Sequence, residues 1–339
     1  MMNDKRINEM LLPRYRYDDR VCGHTRACKY VKDVEMKITM CMRITMVKKL
    51  LVYNEEVRKV SILRSIRKVY QFFVDIPIKE GAVLNGRYEI LSVIGTGSYG
   101  IVYLCKDLKS QGNCVVKQLR PSKRRNKKEV KLFEGETVIL RTLNHKNMPM
   151  FYEAFSNNEY FYYAMSFIEG DNLEDQIFFS KKTFNEKEAL LILAQLLELV
   201  DYLHENDIYH QDLRIPNILL KNNEPFLIDF GLSKQRNLVE SFPSPSSFSH
   251  YKQDGLLEMK QLDYYDLGEI LLYLLYTTYT SKNKKALPWT EELSLEEETV
   301  YLLKRLLRIK KPYSNRSEIS ADLHSALKAK AYINRSEEN

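Results

Sequence analysis

Apolar positions along the 339-residue chain change their spacing several times, and each change marks an element. Over residues 57–74, Ile62, Leu63, Ile66, Val69, Tyr70 and Phe73 recur at helical spacing while Arg58, Lys59, Arg64, Arg67 and Lys68 fill the other faces, which predicts a basic amphipathic helix. Residues 77–85 read as a linker. Strand-like runs at 88–94 and 101–105 then flank Gly95-Thr96-Gly97-Ser98-Tyr99-Gly100 as strand, glycine turn, strand, and 114–117 predicts another strand. Helical spacing returns over 129–143, with Glu136, Leu140 and Leu143 on one face. A strand at 161–165, a connection at 166–171 and a long helix at 186–203 follow. Past a short apolar run at 225–228, the Ser- and Pro-rich stretch 236–255 reads as a loop. A helix is expected from Asp263 to about Tyr276, and two more near 299–308 and 318–331. Residues 1 to about 45 show no period; their cluster of Met36, Met40, Met42 and Met46 offers internal translation starts, which would leave the first residues an extension without function.

Composition changes this picture in one place. Hydrophobic content of 44% and charged content of 29% are those of a soluble globular protein. The net charge is +7, yet residues 1–86 alone hold 18 Lys and Arg against 10 Asp and Glu, so the rest of the chain is close to neutral. The expected partition is an extension at 1–56, the basic helix at 57–76, and a large two-part domain at 87–332. The helix is read as packing its apolar stripe on that domain, with peripheral contact to a membrane or a partner as the alternative. Nothing resembles a nucleic-acid-binding module, so no nucleic acid is expected. Cys22, Cys28, Cys41, Cys105 and Cys114 are odd in number and irregularly spaced, which suits free thiols in a reducing compartment. No apolar run is long enough to span a bilayer and no signal peptide is evident; a cytoplasmic protein is expected.

Chemistry concentrates in His210-Gln211-Asp212-Leu213-Arg214-Ile215-Pro216-Asn217, followed by Ile228-Asp229-Phe230-Gly231. Pro216 argues against a helix, so Asp212 and Asn217 can face one cleft. Asp229 follows an apolar run and precedes Gly231, as if a strand delivers an acid to a flexible turn. Such a set suits a hard cation, Mg2+ for instance, beside phosphate oxygens. Glu136 lies on the apolar side of its helix and needs a cation, and Lys117 at the end of its strand is the one available. The backbone N–H groups of the glycine turn can approach phosphate closely.

Together these pieces, in this order, resemble the eukaryotic-type Ser/Thr protein kinase family in its compact bacterial form, from about Arg87 to Tyr332. The resemblance implies an α+β bilobal protein-kinase-like fold, with a small β-rich N-lobe carrying one key helix (87–165) and a mainly α C-lobe (169–332), preceded by the basic extension. It implies transfer of the γ-phosphate of ATP to a protein hydroxyl, with autophosphorylation and with Mg2+ or Mn2+. Gly95, Gly97 and Gly100 then match the loop over the phosphates, and Lys117, held by Glu136, the phosphate-binding lysine. Val102, Met165, Phe167 and Leu219 belong to the nucleotide site, with residues 166–168 as the hinge. Asp212 matches the catalytic aspartate, Arg214 the cation near the γ-phosphate, Asn217 and Asp229 the metal ligands, and Asp263 the helix-capping acid beneath the catalytic loop.

Several positions depart from the family. Gln211 stands where an arginine commonly binds an activation-loop phosphate, so phosphorylation of Ser241, Ser244, Ser246, Ser247 or Ser249 would not act through that contact. Arg214 replaces a lysine. Val115 replaces a small alanine beside the adenine. His250-Tyr251-Lys252 occupies the place of the Ala-Pro-Glu element, which leaves Arg316 without its usual glutamate. The alternatives left open are a small-molecule kinase of the aminoglycoside or choline type and a nucleotide-binding scaffold without turnover.

Overall fold

The computed structural model describes residues 71, 73–98, 100–236, 249–280 and 287–336. The extension, most of the basic helix, Cys22, Cys28, Cys41 and Ser241 to Ser247 lie outside the described residues; of the helix, Gln71, Phe73 and Val74 have helical backbone.

The first layer is a six-stranded antiparallel sheet ordered β1-β2-β3-β4-β6-β5, built from β1 (Val83–Leu84), β2 (Tyr88–Thr96), β3 (Gly100–Asp107), β4 (Asn113–Leu119), β5 (Phe151–Asn157) and β6 (Tyr160–Ser166). Alternation makes the core of this layer: Ile101, Tyr103 and Cys105 of β3 point to one buried face, where they meet Tyr88, Ile90 and Val116. The glycine turn is the expected hairpin, with Gly95 opposite Val102 and Thr96 opposite Ile101. Cys105 and Cys114 are buried free thiols.

Residues 77–85 are no linker: Ile78 and Ala82 pack on the sheet core, the Ile78 amide donates to the Tyr103 hydroxyl at 3.1 Å, and Val83–Leu84 pairs with β2. Edge strand β5 lies outside the expected elements: none of its residues is fully buried, and Ala154, Ser156 and Asn157 are exposed.

Between β4 and β5 runs α1 (Lys127–Thr142), capped by Asn126, whose side chain accepts from the Lys128 amide. Its buried stripe of Phe133, Glu136, Thr137, Ile139 and Leu140 faces inward, so Glu136 is carried into the interior by the helix period itself.

The second layer is helical: α2 (Leu173–Phe178), α3 (Glu186–Glu205), α4 (Ser249–Tyr276), α5 (Trp289–Glu292), α6 (Glu297–Leu306) and α7 (Arg316–Ser336). An Asn185 and Glu188 capping box starts α3. Leu193, Leu197 and Val200 of α3 join Leu267, Leu271 and Leu274 of α4 in the larger core, together with Leu302 and Leu303 of α6. Helix α4 starts at Ser249 rather than Asp263, so Asp263 lies inside a helix and His250-Tyr251-Lys252 lies in its first turns. The polar first turns carry no apolar stripe, which is why the period showed only the second half.

Two small ladders frame the loop that carries the chemistry. Strand β7 (Ile208–Tyr209) pairs with β10 (Lys234–Gln235), and β8 (Ile218–Lys221) pairs with β9 (Glu224–Leu227) around Asn222 and Asn223, both at positive φ as a two-residue hairpin turn requires. Residues 210–217 and 228–233 are therefore pinned at both ends, one arch beside the other.

Candidate active site

The two arches bring the expected acids together. A backbone bond from the Ile228 amide to the Asn217 carbonyl, 3.0 Å long, ties one arch to the other next to Asp229. Asn217, in a short 3-10 turn with Pro216, donates its amide NH2 to the Asp212 carbonyl (2.9 Å) and to Asp212 Oδ2 (3.0 Å). Arg214 Nε lies 3.4 Å from the same carboxylate, and the Arg214 side chain is largely exposed. Gln211 (φ 62°) and Asp229 (φ 64°) both sit in the left-handed region, where residues with a Cβ are uncommon and whose strain gathers at functional sites.

Asp263 organises the arch from inside α4. Its Oδ2 accepts from the His210 amide at 3.0 Å and faces His204 Nε2 at 2.8 Å, while Oδ1 accepts from the Gln211 amide at 2.7 Å. It does not cap a helix, as the resemblance implied; it ties off loop amides that would otherwise be buried without partners. The Gln211 side chain turns inward, donating to Asp263 Oδ1 and to the Met259 carbonyl. Asp266, one helical turn on, accepts from the Leu213 amide at 3.2 Å.

On the sheet side, Lys117 of β4 meets Glu136 of α1 and Asp229. Its Nζ is 2.8 Å from Glu136 Oε1, 3.1 Å from Oε2 and 2.9 Å from Asp229 Oδ1. Burial alone would lower the Lys117 pKa, but Glu136, Tyr163 and Asp229 outweigh it and hold the ammonium charged, well above its ordinary range. Burial raises the Glu136 carboxyl against the pull of Lys117, and Asp229, despite burial, is held below the usual range by Lys117 and by the Gly231 amide. One ammonium thus serves two carboxylates. Tyr163, opposite Lys117 in the β4–β6 ladder, has its phenol pushed far up by burial and by Glu136. A Cβ on Gly231 would stand 3.2 Å from Asp229 Oδ1 and 3.5 Å from Glu136 Oε2, so glycine there lets the turn close on the triad.

The remaining expected residues distribute unevenly. Val102 is the register partner of both Gly95 and Lys117, and Val115 that of Met165. Leu219 is buried on β8 and bridges to Asn172 at the start of α2. Phe167 follows β6 in the connection between the layers. Arg316 is not without a partner: its Nη1 pairs with Asp201 of α3. No local pattern marks Asp201, because it is 115 residues away in the chain. The sequence assigns no role to Asp266 or Tyr163, whose partners lie on other elements.

The donor set fits a divalent cation. Asn217 spends its N–H groups on Asp212, which leaves its carbonyl oxygen, and Asp229 engages Lys117 and Gly231 through Oδ1, which leaves Oδ2. Among the described residues no cluster of three or more His, Cys, Asp or Glu side chains forms a metal cage.

Residues 88–334 match the family profile of the protein kinase domain. The chain belongs to the protein kinase family. Among similar proteins, a probable serine/threonine-protein kinase of Bacillus subtilis, YbdM, is 41% identical over 265 residues, 78% of this chain and 99% of that protein. Serine/threonine-protein kinase B of Synechocystis is 28% identical over 262 residues, 67% of this chain and 44% of that protein, and calcium-dependent protein kinase 4 of Plasmodium berghei is 31% identical over 57% of this chain and 38% of its own length. The kinase domain thus accounts for nearly all of the first relative and less than half of the other two. The sheet layer is its N-lobe and the helical layer its C-lobe. Among the described residues no helix is long and apolar enough to cross a membrane.

Proposed function

We propose that this chain is a Ser/Thr protein kinase that moves the γ-phosphoryl group of ATP onto a protein hydroxyl, itself included, with Mg2+ or Mn2+ as the metal. The observation that carries the reading is the closed set Lys117, Glu136 and Asp229 beside the linked pair Asp212 and Asn217. In this reading Lys117 binds the α- and β-phosphates, Gly95, Gly97 and Gly100 bring backbone N–H groups over them, and Val102, Met165, Phe167 and Leu219 enclose the base. Asp212 orients the hydroxyl and takes its proton as the new O–P bond forms and the bond to the β-phosphate oxygen breaks, giving ADP. Arg214, beside Asp212, steadies the charge on the transferred group. The cation, held by Asn217 and Asp229, would neutralise the phosphate oxygens.

Neither alternative gains a specific observation. Gln211 is built into α4 through Met259 and Asp263, so its departure from the family concerns control rather than chemistry. The charged triad is assembled, which favours turnover over a silent scaffold.

Purified protein with labelled ATP and Mg2+ or Mn2+ tests the reading. Label is expected on the chain itself or on a basic protein acceptor, falling about 100-fold or more in Asp212→Asn and in Lys117→Ala. Label confined to small hydroxyl compounds would point to a small-molecule kinase, and nucleotide binding without transfer to a scaffold.

A further inference from the structure

Three residues beyond Lys117, the chain leaves β4 through Arg120, and this side chain reaches in two directions. Its Nε donates to the Gly97 carbonyl in the glycine turn at 2.7 Å, and its Nη1 donates to Asp75 Oδ2 at 3.0 Å. Asp75 precedes the sheet and is almost wholly buried, its side chain 2% exposed. It also accepts from the Ser122 amide at 2.8 Å and from the Ser122 hydroxyl at 2.9 Å. The 3-10 turn Pro121–Lys123 has Arg120 as its N-cap residue with no side-chain cap of its own, so Asp75 caps it from 47 residues upstream. Three donors compensate a carboxylate that burial would otherwise penalise heavily.

Neither Arg120 nor Asp75 belongs to the group around Lys117 and Asp212. We propose that Arg120, anchored by Asp75, is a positioning residue for the glycine-rich turn and so sets affinity for the phosphates of ATP; this rests on the kinase reading. The turn is rich in glycine and has the most backbone freedom to lose on ordering. Its Gly97 amide already bonds to the Gly100 carbonyl at 2.9 Å, and Arg120 fixes the other polar group of that residue. An anion attracts N–H groups and repels carbonyl oxygens. With the Gly97 oxygen committed to a guanidinium, the orientation that would turn it on a phosphate is removed before the nucleotide arrives. Arginine suits the task because Nε and Nη1 form a rigid fork that reaches both oxygens, which a lysine ammonium does not reproduce.

Direct titration of the full chain with MgATP, together with steady-state kinetics and melting curves, tests this on Arg120→Ala, Arg120→Lys, Asp75→Asn, Ser122→Ala and the double variant Asp75→Asn/Arg120→Ala. Arg120→Ala is expected to raise both Kd and KM for ATP about tenfold or more, the loss of one charge-assisted bond, while KM for the protein acceptor stays within twofold. Arg120→Lys should fail to restore affinity. Asp75→Asn, near-isosteric and so least disruptive to folding, should show most of the same ATP effect, and the double variant should be no worse than Arg120→Ala alone. Ser122→Ala, which loosens Asp75 without touching Arg120, should lower Tm and leave ATP affinity in place. Unchanged ATP affinity in Arg120→Ala or in Asp75→Asn, whatever the change in Tm, overturns the inference alone. Wild-type protein that binds no MgATP overturns it together with the kinase reading.

Discussion

The amides of His210, Gln211 and Leu213 are held by two carboxylates on one helix, Asp263 and Asp266, and the two acids differ in their surroundings. Burial, then the charge of Asp263, push Asp266 up to about 7, against the Leu213 amide that favours its ionised form. Its pKa is therefore raised on folding, and the stability it contributes is complete below about pH 4 and is lost as pH rises through 7. Asp266→Asn keeps an acceptor for the Leu213 amide and cannot ionise. The wild type is expected to lose several degrees of Tm between pH 4 and pH 8 relative to this variant, with the two converging near pH 4 and below; parallel melting profiles would show that Asp266 does not titrate in this window. At this scale the chemical residues were legible because their types and order carry chemistry: Lys117 meets Glu136 and Asp229, and Asn217 meets Asp212. Partners chosen by the fold were not legible. Arg316 finds Asp201 and Arg120 finds Asp75, and neither pair leaves a trace in local spacing.

Elements decide how tightly the site is held. Two glycines near Lys117 and Glu136 make a contrast. A Cβ at Gly100 would meet the Gln118 carbonyl oxygen at 2.8 Å and the Lys117 side chain at 3.2 Å, so β3 lies against the stem of the lysine. Gly135, in the middle of α1 and next to Glu136, has nothing within 4 Å of such an atom. Gly100→Ala is expected to displace Lys117 and lower kcat/KM for ATP at least about tenfold, a misplacement by a fraction of an ångström being enough. Gly135→Ala should stabilise the protein by about 0.5–1 kcal/mol in urea unfolding, the helix-interior difference between the two residues. Equal stability effects of the two substitutions would sink this account. The period of α1 exposed its buried stripe in advance, whereas β5, none of whose residues is fully buried, and the polar first turns of α4 leave no such stripe to read.

For the whole molecule, Asp75 and Ile78, upstream of residue 87, make hydrogen bonds into the N-lobe. Removing residues 1–70 is expected to leave kcat and Tm close to those of the full chain. Removing residues 1–80 takes away Asp75 and should lower Tm by several degrees, about 2–4 °C for each kcal/mol lost in a domain of this size, and weaken ATP binding. Identical Tm values for the two truncations would overturn this expectation. The amino-acid sequence by itself determined the glycine hairpin, the buried position of Glu136 and the identity of the acids in the loop, while the α+β class came with the family resemblance those residues carry. The first three follow from local period or from the chemical type of residues close together in the chain. Only the tertiary structure decided which distant groups meet: the two small ladders that set the arches side by side, the acids of α4 beneath them, and the bridge from Asp75 through Arg120 to Gly97. Contacts between residues tens of positions apart depend on how layers pack, and packing leaves no periodic mark on either partner.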